Sequence, residues 1–149
     1  MAEKTKVLVD WDAEQKKIET EYKRKLAELK KMKRENEMVD RILTRGILPT
    51  LVLSIIYKEP SNGNEISTKI SDITESAWQP STGGIYPILK RLEKDGFVTG
   101  KWDDPDKRIK RIYTITERGS EELKHQKLNL IDNLNQTVKV FSSIIKSME

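Results

Sequence analysis

Four small residues, Ser81, Thr82, Gly83 and Gly84, stand directly before a mixed apolar and basic stretch holding Ile85, Tyr86, Ile88, Leu89, Lys90, Leu92 and Lys94. Ser81 and Thr82 are cap-type residues. Pro87 lacks an N–H and is best tolerated in a first turn, so the pattern predicts a helix starting near Gly83 or Gly84. Its inner face would be Ile85, Ile88, Leu89 and Leu92, while Tyr86, Lys90 and Lys94 recur at four-residue steps on another face. Asp95-Gly96 would end it, with Gly96 as the left-handed cap. The chemistry open to such a helix is recognition. The major groove of B-DNA admits one α-helix, whose N-terminal residues reach the base edges. Small residues there allow close approach, and their N–H groups and the helix dipole favour a phosphate oxygen. Tyr86 offers its ring to a thymine methyl and its hydroxyl to a phosphate, and Lys90 can reach a base or the backbone one turn on. The plainer alternative has Tyr86 packed under the neighbouring hairpin and Lys90 merely solvated.

A second group of cations follows. Lys101, Lys107, Arg108, Lys110 and Arg111 stand against Asp103, Asp104 and Asp106, and four of the cations fall within residues 107–111. Phe97 to Trp102 reads as one strand and Lys110 to Ile115 as its partner, with Asp103-Asp104-Pro105-Asp106-Lys107 as the tip of a wing. Ile109, Ile112 and Ile115 do not alternate strictly, which leaves the register of the second strand open. Lysines and arginines on a hairpin beside a recognition helix can meet flanking phosphates or a minor groove. The alternative is an edge strand protected from aggregation by charge.

Other chemistry finds little support. The three aspartates of the tip lack the Gly and distant Glu of a calcium-binding EF-hand, so a β-turn is the better reading. There is no Cys, and the single His125 cannot build a metal site alone. Gly83-Gly84 lacks the spacing and Lys of a nucleotide loop. Trp11, Trp78 and Trp102 could stack on a drug, but such aromatics usually serve a core or interface. No nucleophile–base set or carboxylate pair is present, so no enzyme activity and no cofactor are expected.

The elements that would position these residues can be read outward from them. The chain has 149 residues, with charged residues (35%) almost matching hydrophobic ones (36%). That is lean for a self-sufficient core and points to helices that finish burying their apolar faces on a partner subunit. The net charge of +4 is a mild basic excess compatible with nucleic acid. Met1-Ala2-Glu3-Lys4 has no apolar region of a secretion signal. The longest apolar run, Ile47 to Tyr57, is too short to span a bilayer. A soluble, cytoplasmic protein is expected.

Residues 3–41 carry 12 Lys/Arg and 10 Asp/Glu. Trp11, Ile18, Tyr22, Leu26 and Leu29 form a thin apolar stripe, and Asp12 with Gln15 can make a capping box. A helix from Asp12 to about Met38 is predicted, lying on another helix. Ile42 to Tyr57 would be a buried helix with Pro49 in its first turn. After the turn Glu59–Gly63, Asn64 would cap a short helix, Glu65 to about Ile73, burying Ile66, Ile70 and Ile73. Thr116 would cap a last helix. Its Ile131, Leu134, Val138, Phe141, Ile145 and Met148 run in steps of three and four, a heptad seam for a left-handed helix pair.

The motif Trp78-x-Pro80-Ser81-x-Gly83-x-Ile85-Tyr86-Pro87-x-Leu89-Lys90-Arg91-Leu92-Glu93-Lys94-Asp95-Gly96, the wing, and Tyr113-x-Ile115-Thr116-Glu117-x-Gly119 closely resemble the PadR family of transcription regulators. The likeness runs from about Arg45 to Lys127 and includes Gly63-x-Glu65-Ile66. It implies a winged helix-turn-helix, homodimeric through its C-terminal helix, and repression relieved by a small-molecule effector such as a phenolic acid or drug. Asn64 stands where the family often has an aromatic, Thr82 where a Pro commonly follows the capping Ser, and Gly84 where a hydroxyl residue is frequent. The last helix has no Trp on which some members stack a drug.

The reading is therefore a mainly α fold with a small β-hairpin wing: a winged helix-turn-helix with long N-terminal and C-terminal helices. Its parts would be a charged helical extension (1–41), the winged domain (42–116) and a dimerisation helix (117–149). The partner would be double-stranded DNA, contacted by Ser81, Thr82, Gly83, Gly84, Tyr86, Lys90, Lys107, Arg108, Lys110 and Arg111. The contrary reading is a winged helix that binds protein and has lost its affinity for DNA. Asn64, Gly84 and the acidic wing tip motivate it.

Overall fold

The computed structural model describes residues 9–149, with residues 33–40 described by their backbone alone. The Met1–Lys4 segment read for a secretion signal lies outside the described residues. The backbone divides into two compact units, Met1–Met38 and Val39–Glu149. Helix α1 (Trp11–Gly46) crosses that boundary. It runs past the predicted end near Met38 because no Gly or Pro interrupts it before Gly46. Its start differs as well. Asp10, not Asp12, takes the cap, its carboxylate accepting from the Ala13 N–H at 3.2 Å. The stripe of the first unit is exposed at Trp11, Ile18, Tyr22 and Leu29.

In the second unit, α2 (Leu48–Lys58) carries Pro49 in its first turn, as expected, and buries Leu48, Val52, Leu53, Ile55 and Ile56. Helix α3 (Gly63–Ile73) starts earlier than predicted. Asn62 rather than Asn64 is the cap: its side chain accepts from the Glu65 N–H at 2.8 Å and donates to the Glu65 carboxylate at 2.8 Å. This reciprocal box satisfies more groups than a cap at the exposed Asn64 could. Ile66 and Ile70 are buried, but Ile73 is not. The helix ends at Ile73, and the chain turns away through Glu75 and Ser76, both at positive φ.

Helix α4 (Thr82–Lys94) is capped by Ser81, whose hydroxyl accepts from the Gly84 N–H at 3.2 Å. Pro87 consequently sits in the second turn, not the first. The cap outweighs the proline's preference, and the carbonyl that loses its partner, that of Gly83, belongs to an exposed residue. Ile85, Leu89 and Leu92 face the core, with Ile88 packed against it. Gly96 has φ 79°, as its capping role requires.

Strands β1 (Val98–Trp102) and β2 (Arg111–Ile115) pair antiparallel, with Val98 opposite Ile115 and Trp102 opposite Arg111. This register turns Val98 and Tyr113 inward and leaves Ile109 exposed beyond the strand. Ser61 exchanges two backbone hydrogen bonds with Tyr113, at 3.2 and 3.0 Å, and so ties the start of α3 to the wing. Thr116 caps α5 (Glu117–Met148) as expected. Its hydroxyl accepts from the Gly119 N–H at 3.0 Å and donates to the Gly96 carbonyl at 2.6 Å.

Candidate nucleic-acid interface

The exposed face of α4 begins at its cap. Gly83 and Gly84 lie in the first turn, where each glycine costs a helix about 1 kcal/mol relative to alanine. Nothing in the fold demands them. A Cβ at either position would meet only the Ser81 hydroxyl, at 3.8 and 3.6 Å, and neither residue has positive φ. Elsewhere glycine is required by contact: a Cβ at Gly100 would reach the Arg111 side chain at 2.5 Å and Tyr113 at 2.9 Å. The bare backbone at Gly83 and Gly84 therefore suits something outside the chain that approaches closely.

Tyr86 is half exposed, and its ring lies over Gly63 at the start of α3, where a Cβ would come within 3.3 Å of the ring. The ring is thus steadied by α3, near enough to Tyr113 of the wing to act on it electrostatically, while the residue keeps half its surface open. Lys90 and Lys94 are exposed on later turns of the same helix. The first turn of α4 is further anchored from behind, since the buried Ser67 hydroxyl donates to the Pro80 carbonyl at 2.6 Å.

On the wing, Lys101, Lys107, Arg108 and Lys110 are exposed. The aspartates shape the tip. Asp104 accepts from the Asp106 and Lys107 N–H groups at 2.9 and 3.4 Å, and Arg108 takes the left-handed conformation at φ 49°. That is a turn, and among the described residues no cluster of three His, Cys, Asp or Glu side chains is placed to hold a metal ion. Lys110 shares an open cleft with Asn64, Thr68, Lys69 and Asp72 of α3.

Arg111 behaves differently from its neighbours. Its guanidinium donates to the Glu93 carboxylate at 2.6 Å and stacks on Trp102 and Tyr113, 5.5 and 5.9 Å from the ring centroids. The Glu93 carboxylate also accepts from the Gly100 N–H at 3.2 Å. Arg111 thereby braces the wing against α4, an internal use that its place in the cationic run does not announce. The bond to Glu93 raises the Arg111 pKa above its ordinary value. Sequence reasoning missed Glu93, although its place one turn after Leu89 and Lys90 put it within reach of the hairpin.

Burial raises the Tyr113 pKa above the usual 10.0, and the Arg111 charge offsets part of that rise. The neutral phenol is the form the fold favours. The corresponding stability is complete below pH 10 and is lost as pH rises through the elevated value. In a spectrophotometric titration, the step that Tyr113→Phe deletes is expected to lie above the ordinary tyrosine value. Deletion of a step at or below that value would contradict this assignment.

A capped helix lying against a preceding helix and beside a two-stranded wing defines a winged helix-turn-helix. Residues 52–125 match the transcriptional regulator PadR-like family. The chain is 31% identical to a solved PadR-like transcriptional regulator from Bacillus cereus, with TM-score 0.52 over 65% of this chain and 92% of that one. The chain belongs to this family. It is also similar to a transcriptional regulator from Clostridium thermocellum, with 28% identity and TM-score 0.58 over 68% of this chain and 97% of that one. The negative transcriptional regulator PadR of Bacillus subtilis is 29% identical over 94 residues, which are 62% of this chain. The chain spans only about half the length of that relative, 51%. Among the described residues no helix is long and apolar enough to cross a membrane.

Proposed function

We propose that this PadR-family regulator binds duplex DNA sequence-specifically as a homodimer, with α4 in the major groove and the wing on flanking phosphates. The observation that carries the reading is the pair Gly83 and Gly84. They leave backbone without side chains at a helix start where the fold itself has no use for glycine. Ser81, Thr82 and Tyr86 would supply polar contacts there, and Lys90 a base or phosphate contact one turn on. Lys107, Arg108 and Lys110 would meet the backbone, with Lys101 beside them and Arg111 holding the hairpin in place.

The homodimer reading draws on the last helix. Ile131, Val138, Phe141, Ile145 and Met148 are 44–81% exposed, and Leu134 is partly exposed. Ile131 and Leu134 continue into an apolar groove between α2 and α5, lined by Ile47, Leu51 and Leu123. A second copy of the helix would cover both, placing two recognition helices about one turn of DNA apart. In this scheme residues 1–41 extend the winged domain (42–116), and 117–149 join the subunits in the cytoplasm. Repression is carried over from the Bacillus subtilis relative, a negative regulator. Its relief by a small molecule belongs to the same proposal.

The test is selection of binding sites from random duplexes, followed by fluorescence anisotropy against excess competitor DNA. An enriched, two-fold symmetric site held in the presence of competitor is the expected result. Binding that competitor abolishes at every selected site would favour a protein-binding module.

A further inference from the structure

The apolar stripe of α1 leaves the opposite face of its first unit to be explained. Lys16-Lys17, Lys23-Arg24 and Lys30-Lys31 are three dibasic pairs at seven-residue steps. At 3.6 residues per turn they form two parallel rows on one face about 22 Å long, centred roughly 180° around the helix from Trp11, Ile18, Tyr22 and Leu29. All six cations are exposed, and among the described residues no carboxylate pairs with any of them. The acids keep to the flanks of the apolar stripe, with Asp12 and Glu19 on one side and Glu14, Glu21 and Glu28 on the other.

This three-way sorting separates the candidate partners. A helix lying on an anionic membrane would bring its apolar stripe and both flanks to the lipid, and here both flanks are acidic. Most of these cations stand three or four residues from an acid, as on a solvated helix, yet among the described residues none is held in an ion pair, and of the cations from Lys16 to Lys31 only Lys25 lies off this face. A cationic face with nothing larger than Ala13, Thr20 and Ala27 between its two rows complements a linear polyanion that is read by charge alone.

We propose that the face carrying Lys16, Lys17, Lys23, Arg24, Lys30 and Lys31 is a second, sequence-independent contact to the phosphate backbone of duplex DNA. It rests on the reading of the chain as a DNA-binding regulator, and adds affinity without adding sequence information.

The salt dependence of binding tests it on a mixed-sequence duplex, for which no operator is needed. Each phosphate contact contributes about 0.9 to the slope of log K against log salt. In the whole 149-residue chain, replacing all six residues by Gln should make the slope shallower by about two units or more, with helicity unchanged by circular dichroism. Should that variant fail to fold, Lys23→Gln with Arg24→Gln should still lower the slope by nearly two units. Replacing Glu14, Glu21 and Glu28 by Gln should lower it in no case. A slope within about one unit of wild type, in a folded six-fold variant or in the double variant, would overturn the inference while leaving recognition by α4 intact. So would an unchanged DNA slope accompanied by loss of binding to phosphatidylserine vesicles. Failure of the unaltered protein to bind any duplex would instead remove the functional reading beneath it.

Discussion

Gly119→Ala is expected to lower the unfolding free energy by about 3 kcal/mol, the upper end for overpacking a core. Gly119 is buried in the first turn of α5. A Cβ there would press directly on the Phe97 carbonyl oxygen and come within 2.8 Å of the Ile115 side chain. Neither neighbour is free to move. The Phe97 carbonyl accepts the Thr116 N–H at 3.0 Å, and Ile115 is opposite Val98 in the wing. The base of the wing and the start of the last helix would have to part. The effect should appear as a lower urea midpoint at unchanged slope. A midpoint equal to wild type would mean that the wing does not close on α5 in this way.

Val138→Glu combined with Phe141→Glu is expected to give a monomer and to weaken operator binding by a hundredfold or more, in the range of effective-concentration gains. Val138 is 62% and Phe141 45% exposed in the single chain, so the acids cost the folded monomer little. In a helix pair they would bring like charges face to face in an apolar seam. Sedimentation should show the change directly. A dimer that survives both substitutions would place the subunit interface elsewhere.

The parts of the fold that local chemistry dictates were legible in the sequence. Thr116 and Gly96 can each play one role at their positions, and the structure uses them so. The wing was legible as two strands around a polar turn. What could not be read were choices between equivalent local options. Asn62 and Asn64 are both good caps, and Asn62 prevails because Glu65 can reach back to it and Gly63 must lie beneath the Tyr86 ring. Ser81 and Pro87 favour different starts for α4, and the hydroxyl cap prevails. Ile73 has the spacing of a core residue but falls where the helix ends, beside an open groove with Leu51 and Ile55. Within the candidate interface, Lys107, Arg108 and Lys110 stand exposed as their composition suggests. Arg111 differs only because Glu93, eighteen residues earlier, comes within hydrogen-bonding distance of it.

The central claim is that α4 reads DNA sequence, and it is tested most directly by Tyr86→Ala. Tyr86 rests on Gly63 and is half exposed, so truncating it removes the face offered to DNA and spares the buried positions of α4. Anisotropy should be measured on the selected site and on a scrambled duplex, at one physiological salt concentration. The account predicts a loss of tenfold or more on the selected site, the scale of one good base contact, with little change on the scrambled duplex. Equal losses on both duplexes, or none on either, would contradict it.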